Sequence, residues 1–334
     1  MLTLAEEYKE IHIWDFPPTL TFIRLNKDFR LSLFNKMRSL LCSRKKLMLL
    51  INKSSLKYNI KRSYNDLTLY SWMKGFVFKG DKIKNINLPL WLLIEFSKII
   101  SKNENNDNFI MRDIEKNIDY YTGWGKSNPI INPKFPLYLT PEMVSVIFHF
   151  LGDGHIGKKE VCSSYRQMNE EGLNNFLSKL KNLFGDFNFS KNEFKDGRLN
   201  IPKILTEFYN YYFKLPNTDT FEAYVPLNIK SLDKEFLLAG LASFIVDEGH
   251  VWEVITIYSK NKALLEGIRE VTIKCGYIAH PIREKYARGK FDCYRFSISS
   301  KSYNELYSDL KVLSDRFPTC SLAHKSERLI KQIH

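Results

Sequence analysis

Paired cysteines are missing from this chain of 334 residues. Its five cysteines, Cys42, Cys162, Cys275, Cys293 and Cys320, stand singly. Without a C-x-x-C pair no zinc site is expected, and the odd number argues against a disulfide framework. Single thiols fit a reducing compartment, so a cytoplasmic location is the expectation. Long apolar runs are missing as well. The stretch Leu88–Phe96 already carries Glu95, and nothing approaches a membrane span. Residues 1–10 are too acidic for a secretory signal. No P-loop, Rossmann glycine pattern or hydrolase elbow occurs.

What remains is an ordinary globular composition, 44% hydrophobic and 26% charged, long enough for two or three domains with their own cores. The net charge is +13, and it is concentrated. Between Phe22 and Asn85 sixteen Lys and Arg face three acids, Asp28, Asp66 and Asp81. That stretch alone equals the whole excess. Its interleaved Phe, Tyr and Trp make it a candidate polyanion-binding surface.

The chain divides into zones. Residues 1–120 read as a basic, mainly helical domain. Residues 121–140 hold three prolines and two glycines and read as an extended linker. After them comes an internal repeat, with one copy over 141–228, a second over 229–318, and a tail at 319–334. Each copy opens with an apolar helix that stops on an acid, a glycine and a histidine. These are "FHFLGDGHI" (Phe148–Ile156) and "SFIVDEGHV" (Ser243–Val251). Thr140-Pro141-Glu142 signals the start of the first helix. Ser231 or Asp233 can cap the second. Strand-like segments, an amphipathic helix ending at Gly185 or Gly276, two further strand-like segments and a closing helix follow in both copies. The fold class is therefore α+β, with the helix–strand–strand unit duplicated in tandem.

Two helices related by a pseudo-two-fold would bring their terminal acids, Asp153 and Glu248, together. Hard cations prefer carboxylate oxygens, and Mg²⁺ takes one or two from protein and the rest from water and phosphate. The helix C-terminus adds attraction. Gly154 and Gly249 would be the C′ residues that stop each helix and let the chain turn into a strand.

These segments resemble the two copies of the LAGLIDADG motif, here "VIFHFLGDG" (Val146–Gly154) and "LASFIVDEG" (Leu241–Gly249). They mark the LAGLIDADG homing endonucleases, and the resemblance covers residues from about 137 to 315. It implies a tandem saddle with two central packed helices and two sheets lying along DNA. It also implies a monomer that cuts both strands across the minor groove with Mg²⁺ or Mn²⁺. Asp153 and Glu248 fall on the family's catalytic, metal-binding acids. Its transition-state lysines would be Lys203 and Lys301, at the ends of "RLNIPK" and "RFSISSK". Arg198 and Arg295 in the same segments are candidates for DNA contact. His155 and His250 read as strand-start residues. The helix interface would hold Gly152, Gly240 and Ser243. Phe148 departs from the pattern there and is expected to separate or tilt the helices, since close approach needs small side chains. Val246 replaces the motif's first acid.

In the basic domain, "LTLYSWMKG" (Leu67–Gly75) resembles the recognition helix of a helix-turn-helix module, capped by Ser63 or Asn65. Asn65, Thr68, Ser71 and Lys74 are then candidates to face DNA, and Leu88–Ser101 is a following core helix. The ends lack intein splice-junction residues, so a free-standing protein is the expectation. Two functions stay open. One is a site-specific Mg²⁺-dependent double-strand DNA endonuclease. The other is a domesticated, non-cleaving nucleic-acid-binding protein, a transcription regulator or an RNA maturase. In the latter, Tyr258, Tyr286 and Tyr294 would stack on unpaired bases.

Overall fold

The computed structural model describes residues 7–79, 82–104, 109–125, 128–157, 163–215 and 221–333; Cys162 lies outside them. Strand β1 (Glu10–Ile11) comes first. Strand β2 (Phe22–Leu25) then leads into three helices, α1 (Lys27–Leu41), α2 (Arg44–Lys57) and α3 (Asp66–Lys74). Each begins where a polar side chain accepts a hydrogen bond from a backbone N–H of the first turn: Asn26, Ser43 and Asn65. Strands β3 (Phe76–Lys79) and β4 (Lys82–Asn85) pair only with each other. Strand β5 (Leu88–Pro89) precedes helices α4 (Leu90–Glu104) and α5 (Phe109–Lys116). Strands β6 (Ile118–Thr122), β7 (Ile130–Ile131) and β8 (Leu137–Tyr138) follow.

This front region is mainly helical but not helical alone. An antiparallel sheet in the order β5-β2-β6-β7 runs through it. Nor do residues 121–140 form a free linker. Tyr120 pairs with Ile131, and Glu10 with Tyr138. Ile131 exchanges backbone bonds of 2.7 and 2.8 Å with Asp186 in the next region. The prolines keep the stretch extended, and extended backbone with open hydrogen-bonding groups pairs with whatever strand lies beside it.

Two stretches of mixed helix and strand follow. The first comprises α6 (Pro141–Leu151), β9 (Gly154–His155), β10 (Ser164–Arg166), α7 (Glu170–Phe184), α8 (Lys191–Lys195), β11 (Arg198–Asn200), α9 (Lys203–Phe213) and α10 (Leu227–Lys230). The second comprises α11 (Lys234–Glu248), β12 (Gly249–Val251), β13 (Ile255–Ser259), α12 (Lys262–Lys274), β14 (Arg283–Ala287), β15 (Lys290–Ser297) and α13 (Tyr303–Arg316). A short α14 (Ser326–Ile330) closes the chain.

Helices α6 and α11 lie against each other at the centre of these halves. Leu237–Val246 and Met143–Leu151 are buried throughout, as expected of helices that are apolar on every face. Thr140 caps α6 by accepting from the Met143 N–H, with Pro141 in the first turn. Asp233 stands at the start of α11 without a side-chain cap bond. Asn169 and Asn261 cap α7 and α12 in the same way.

The sheets differ. The second half has four strands, β12-β13-β15-β14, and the first has three, β11-β10-β9. Where the first copy was expected to supply another strand, "SKNEFKD" forms α8 instead. Ser190 accepts from the Glu193 N–H, and the turn ends at Gly197 with φ +73. The overall architecture is mixed helix and sheet, and no helix among the described residues is long and apolar enough to cross a membrane.

Candidate active site and nucleic-acid interface

The two central helices end at one place, but not in the way their glycines suggested. Helix α6 stops at Leu151, so Asp153 lies in the turn beyond it, while Glu248 is the last residue of α11. Neither Gly154 nor Gly249 lies in the left-handed region, and Gly249 has φ −88. Glycine is needed for room. A Cβ at Gly154 would sit 2.5 Å from Phe150 Cα, one at Gly249 2.6 Å from the Ile245 carbonyl oxygen, and one at Gly152 2.8 Å from Asp247 Cβ.

Phe148 does not hold the helices apart. Its ring is fully buried and occupies the notch left by Gly240. A Cβ at position 240 would overlap Cδ2 and Cε2 of that ring and lie 2.7 Å from Cζ. A large residue on one helix is matched by the absence of one on the other, which is how close-packed interiors accommodate bulk. Ser243 is buried in the same interface and donates to the Ala239 carbonyl at 3.1 Å.

Beside Asp153 and Glu248 stands a third acid that the motif alignment passed over. The Asp247 side chain is fully buried. It accepts from Tyr165 Oη at 2.6 Å and from His149 Nδ1 at 3.0 Å, and from the Asp153 backbone N–H. The far side of the imidazole faces Lys179, whose Nζ lies 3.1 Å from Nε2 and 3.4 Å from Ser243 Oγ. Lys179 can only donate, so Nε2 accepts and Nδ1 carries the proton. Burial and the Lys179 charge hold His149 well below its usual pKa. Its contact with Asp247 is therefore a hydrogen bond from a neutral ring. The one visible trace of this chain in the sequence was an acid and a histidine inside helices otherwise apolar.

The three carboxylates disturb one another. Burial pushes Asp153 up to about 7, with the Asp247 charge adding to it. Glu248 rises to about 7 through burial and then the charges of Asp153 and Asp247. Asp247 reaches about 7 through burial, against the opposing bonds from Tyr165 and Asp153. Gln167 Nε2 donates to Asp153 at 3.3 Å. Glu248 and Asp247 line an open cleft of about 460 Å³ with His250, Tyr258 and Lys285.

The lysine at this site is neither of those expected. Lys203 begins α9 and pairs with Glu207 at 3.6 Å. Lys301 is exposed in a one-turn 3₁₀ helix before α13. Among the described residues neither is an ion-pair partner of Asp153 or Glu248. The cation is Lys325, in the segment read as a tail. It is buried and donates to the carbonyls of Ile245 (2.9 Å), Val246 (2.6 Å) and Gly249 (2.6 Å). It thus closes the C-terminus of α11, and its charge is felt by all three acids. No local pattern could have found a residue so far along the chain. Replacing it with methionine leaves carbonyls uncapped and carboxylates uncompensated. Lys325→Met is expected to lose about 3 kcal/mol in denaturant unfolding at about pH 8 and less at about pH 5, where the acids are protonated. An equal loss at both would show that capping alone matters.

Metal fit follows from the donors. Among the described residues no three or more His, Cys, Asp or Glu side chains form a ready cluster for an ion. Glu248 opens to the cleft with Asp153 near enough to raise its pKa, and such a carboxylate pair suits a hard cation that completes its shell with water and phosphate. The acids also dictate a pH dependence. Their native pKa values of about 7 lie above unfolded values of about 4. The native state then binds more protons than the unfolded state across that window, so stability falls as pH rises through it. The Tm of the cation-free protein is expected to drop between about pH 5 and about pH 8, and Mg²⁺ to restore more of it at the higher pH. A flat profile would contradict the clustering.

The outer faces of the two sheets are polar and basic. Arg198 pairs across from Arg166, while the buried Tyr165 and Leu199 face inward. Arg295 lies opposite Tyr258 and Arg283, with Ile257 and Phe296 inward. Arg198 and Arg295 each stand on a strand paired with the second strand of their own sheet. His155 and His250 are exposed at the strand starts. The Arg198 Nε is buried and lacks a hydrogen-bond partner among the described residues. Tyr258 and Tyr294 are half-buried and Tyr286 is exposed; Lys285 lies 5.0 Å over the Tyr258 ring.

In the front region, three of the four residues expected to face DNA are engaged within their own helix. Asn65 caps α3 and also accepts from the Thr68 hydroxyl. Ser71 donates to the Leu67 carbonyl at 2.7 Å. Lys74 extends from an exposed stripe formed with Leu67 and Tyr70, which are 75% and 53% exposed.

No family profile matches the chain, and no curated protein matches it in sequence. Solved structures of the homing endonuclease I-DmoI are similar over about half of this chain. A set of mesophilic variants gives 18% identity over 50% of this chain and 87% of theirs, with a TM-score of 0.35. I-DmoI in complex with DNA and Mn gives 19% identity over 51% and 95%, with a TM-score of 0.34.

Proposed function

We propose that this chain is a site-specific, Mg²⁺-dependent double-strand DNA endonuclease of homing-endonuclease type, acting as a monomer. Residues 141–228 and 229–318 form the duplicated, saddle-like catalytic unit, and residues 1–120 are an added helix-turn-helix-like DNA-binding domain. The observation that carries this reading is the convergence of Asp153, Asp247 and Glu248 at the joint end of two buried helices. Both flanking sheets turn arginines outward from that point.

Asp153 and Glu248 would hold the cation, whose chemistry is to polarise a phosphate oxygen and activate a water. Asp247 positions: fixed by Tyr165 and His149, it receives the Asp153 N–H and so sets the turn that carries Asp153. Lys325 holds the end of α11 and limits repulsion among the acids. Arg198 and Arg295 would bind phosphates on either side. The non-cleaving alternative drew its support from Phe148 and from the basic front domain; with that ring seated against Gly240, the first of these no longer favours it.

The test is selection of cleaved sites from a randomised duplex library with Mg²⁺. A cut product with a defined recognition sequence is expected. Tight binding to selected duplexes without any cutting would end the nuclease reading.

A further inference from the structure

Strands β3 and β4 form an isolated ribbon that the helix-turn-helix expectation did not include. Its two faces are chemically distinct. Opposed pairs Phe78–Ile83 and Phe76–Asn85 share one face, while Lys79–Lys82 and Val77–Lys84 share the other. Phe78 is 70% exposed and Ile83 65% exposed. Every residue of β4 is exposed, and among the described residues the three lysines form no ion pair. A lone two-stranded ribbon with bare apolar residues gains little from folding by itself.

Its base, by contrast, is firmly built. Arg24 Nη1 donates to the Gly75 carbonyl just before β3 and, at 3.3 Å, to the Ile86 carbonyl just after β4. The Ile86 N–H donates to the Gly75 carbonyl at 2.8 Å. Buried Arg30 donates to the carbonyls of Met73 (3.1 Å), Lys74 (3.0 Å) and Leu25 (2.8 Å). Gly75, with φ +77, leaves room for that guanidinium. Two arginines therefore lock the ribbon to the end of α3 and to β2, fixing its direction relative to the exposed Leu67–Tyr70–Lys74 stripe.

We infer that the ribbon is a second duplex-DNA contact, an arm that enters the major groove beside α3. This rests on the proposed DNA-binding role of the front region. The major groove, about 12 Å wide, admits a two-stranded ribbon with its side chains, and the minor groove at about 6 Å does not. Lys79, Lys82 and Lys84 pair with phosphates along one wall. Phe78 and Ile83 cover apolar surface, such as thymine methyls, on the other side. Lysines on exposed strands also discourage edge-to-edge pairing with a second chain, which makes nucleic acid the better occupant.

The test measures binding of the full chain to duplex DNA across a salt series, for the wild type, for Lys79→Ala/Lys82→Ala/Lys84→Ala and for Phe78→Ser/Ile83→Ser. The lysine variant is expected to lose at least about tenfold in affinity and roughly 2 to 3 units of log–log salt slope. The apolar variant should lose affinity with its slope unchanged. Both should melt like the wild type, because these side chains are exposed. Wild-type slope and affinity in the lysine variant overturn the arm while leaving the DNA-binding reading intact. A wild type without salt-dependent duplex binding overturns both. Loss of self-association in the apolar variant, with DNA binding unchanged, would make the surface a contact between copies and also overturn the arm.

Discussion

Asp153→Asn combined with Glu248→Gln is expected to abolish cleavage, lose no affinity for duplex DNA, and raise thermal stability. The loss follows from removing the carboxylates that would hold the cation. Stabilisation of several kcal/mol at the phosphate corresponds to about 10³-fold or more in rate. The gain follows from electrostatics. Each acid is pushed up to about 7 by burial and by its neighbours, so its charged form is strained near neutral pH. An uncharged isostere relieves that strain, and the Tm of the cation-free double variant should exceed that of the wild type at about pH 8. The advantage should shrink at about pH 5 and in saturating Mg²⁺. Cleavage assays on selected sites and calorimetry at two pH values read both effects. A double variant that still cuts removes these residues from the chemistry. One that is inactive but less stable than the wild type would show them to be structural.

Gly240→Ala is expected to destabilise the protein and to impair cleavage. Its methyl would overlap a phenylalanine ring that is fully buried and has nowhere to turn. Overpacking of this kind costs about 1 to 3 kcal/mol, and here the strained contact joins the two helices that carry the acids. Phe148→Ala alone empties the notch and should cost about 3 to 5 kcal/mol. The double variant places a methyl where the ring was. It should be less destabilised than the sum of the singles by about 1 kcal/mol or more, as coupled neighbours are. Denaturant unfolding of the four proteins closes this cycle. Simple additivity would mean that the ring and the notch are not partners. Cleavage should also fall in Gly240→Ala beyond what reduced folding explains, because the shift displaces Asp153 relative to Glu248.

The same pair shows where reading the chain succeeded and where it stopped. Phe148 was visible as a departure from the small-residue pattern, and its consequence was inferred from one helix alone. Gly240 was visible too, as a fitting small residue on the other helix. That the two fit each other is a property of the crossing, which no linear spacing encodes.

Local signals decided what lies within about one turn of the chain. Thr140-Pro141 starts α6, Asn65 starts α3, and Asn169 and Asn261 start equivalent helices. Each is a short-range bond between a side chain and its own backbone, so sequence suffices. The likeness between the two motif segments made the acid-bearing helix ends legible, because each carries an acid and a glycine just after an apolar run. The rest needed three dimensions. Asp247 became a hub only once Tyr165 and His149 came from the other half. Lys325 reached α11 from beyond every repeat. Residues 121–140 turned from linker to strands through partners about fifty residues and more away. Buried polar groups take whichever partners the packed core brings near them, since leaving them unpaired costs more than any local preference can offset. Sequence alone pointed to the two apolar motif helices and to the acids at their ends. Tertiary structure decided which third acid, which lysine and which notch complete it.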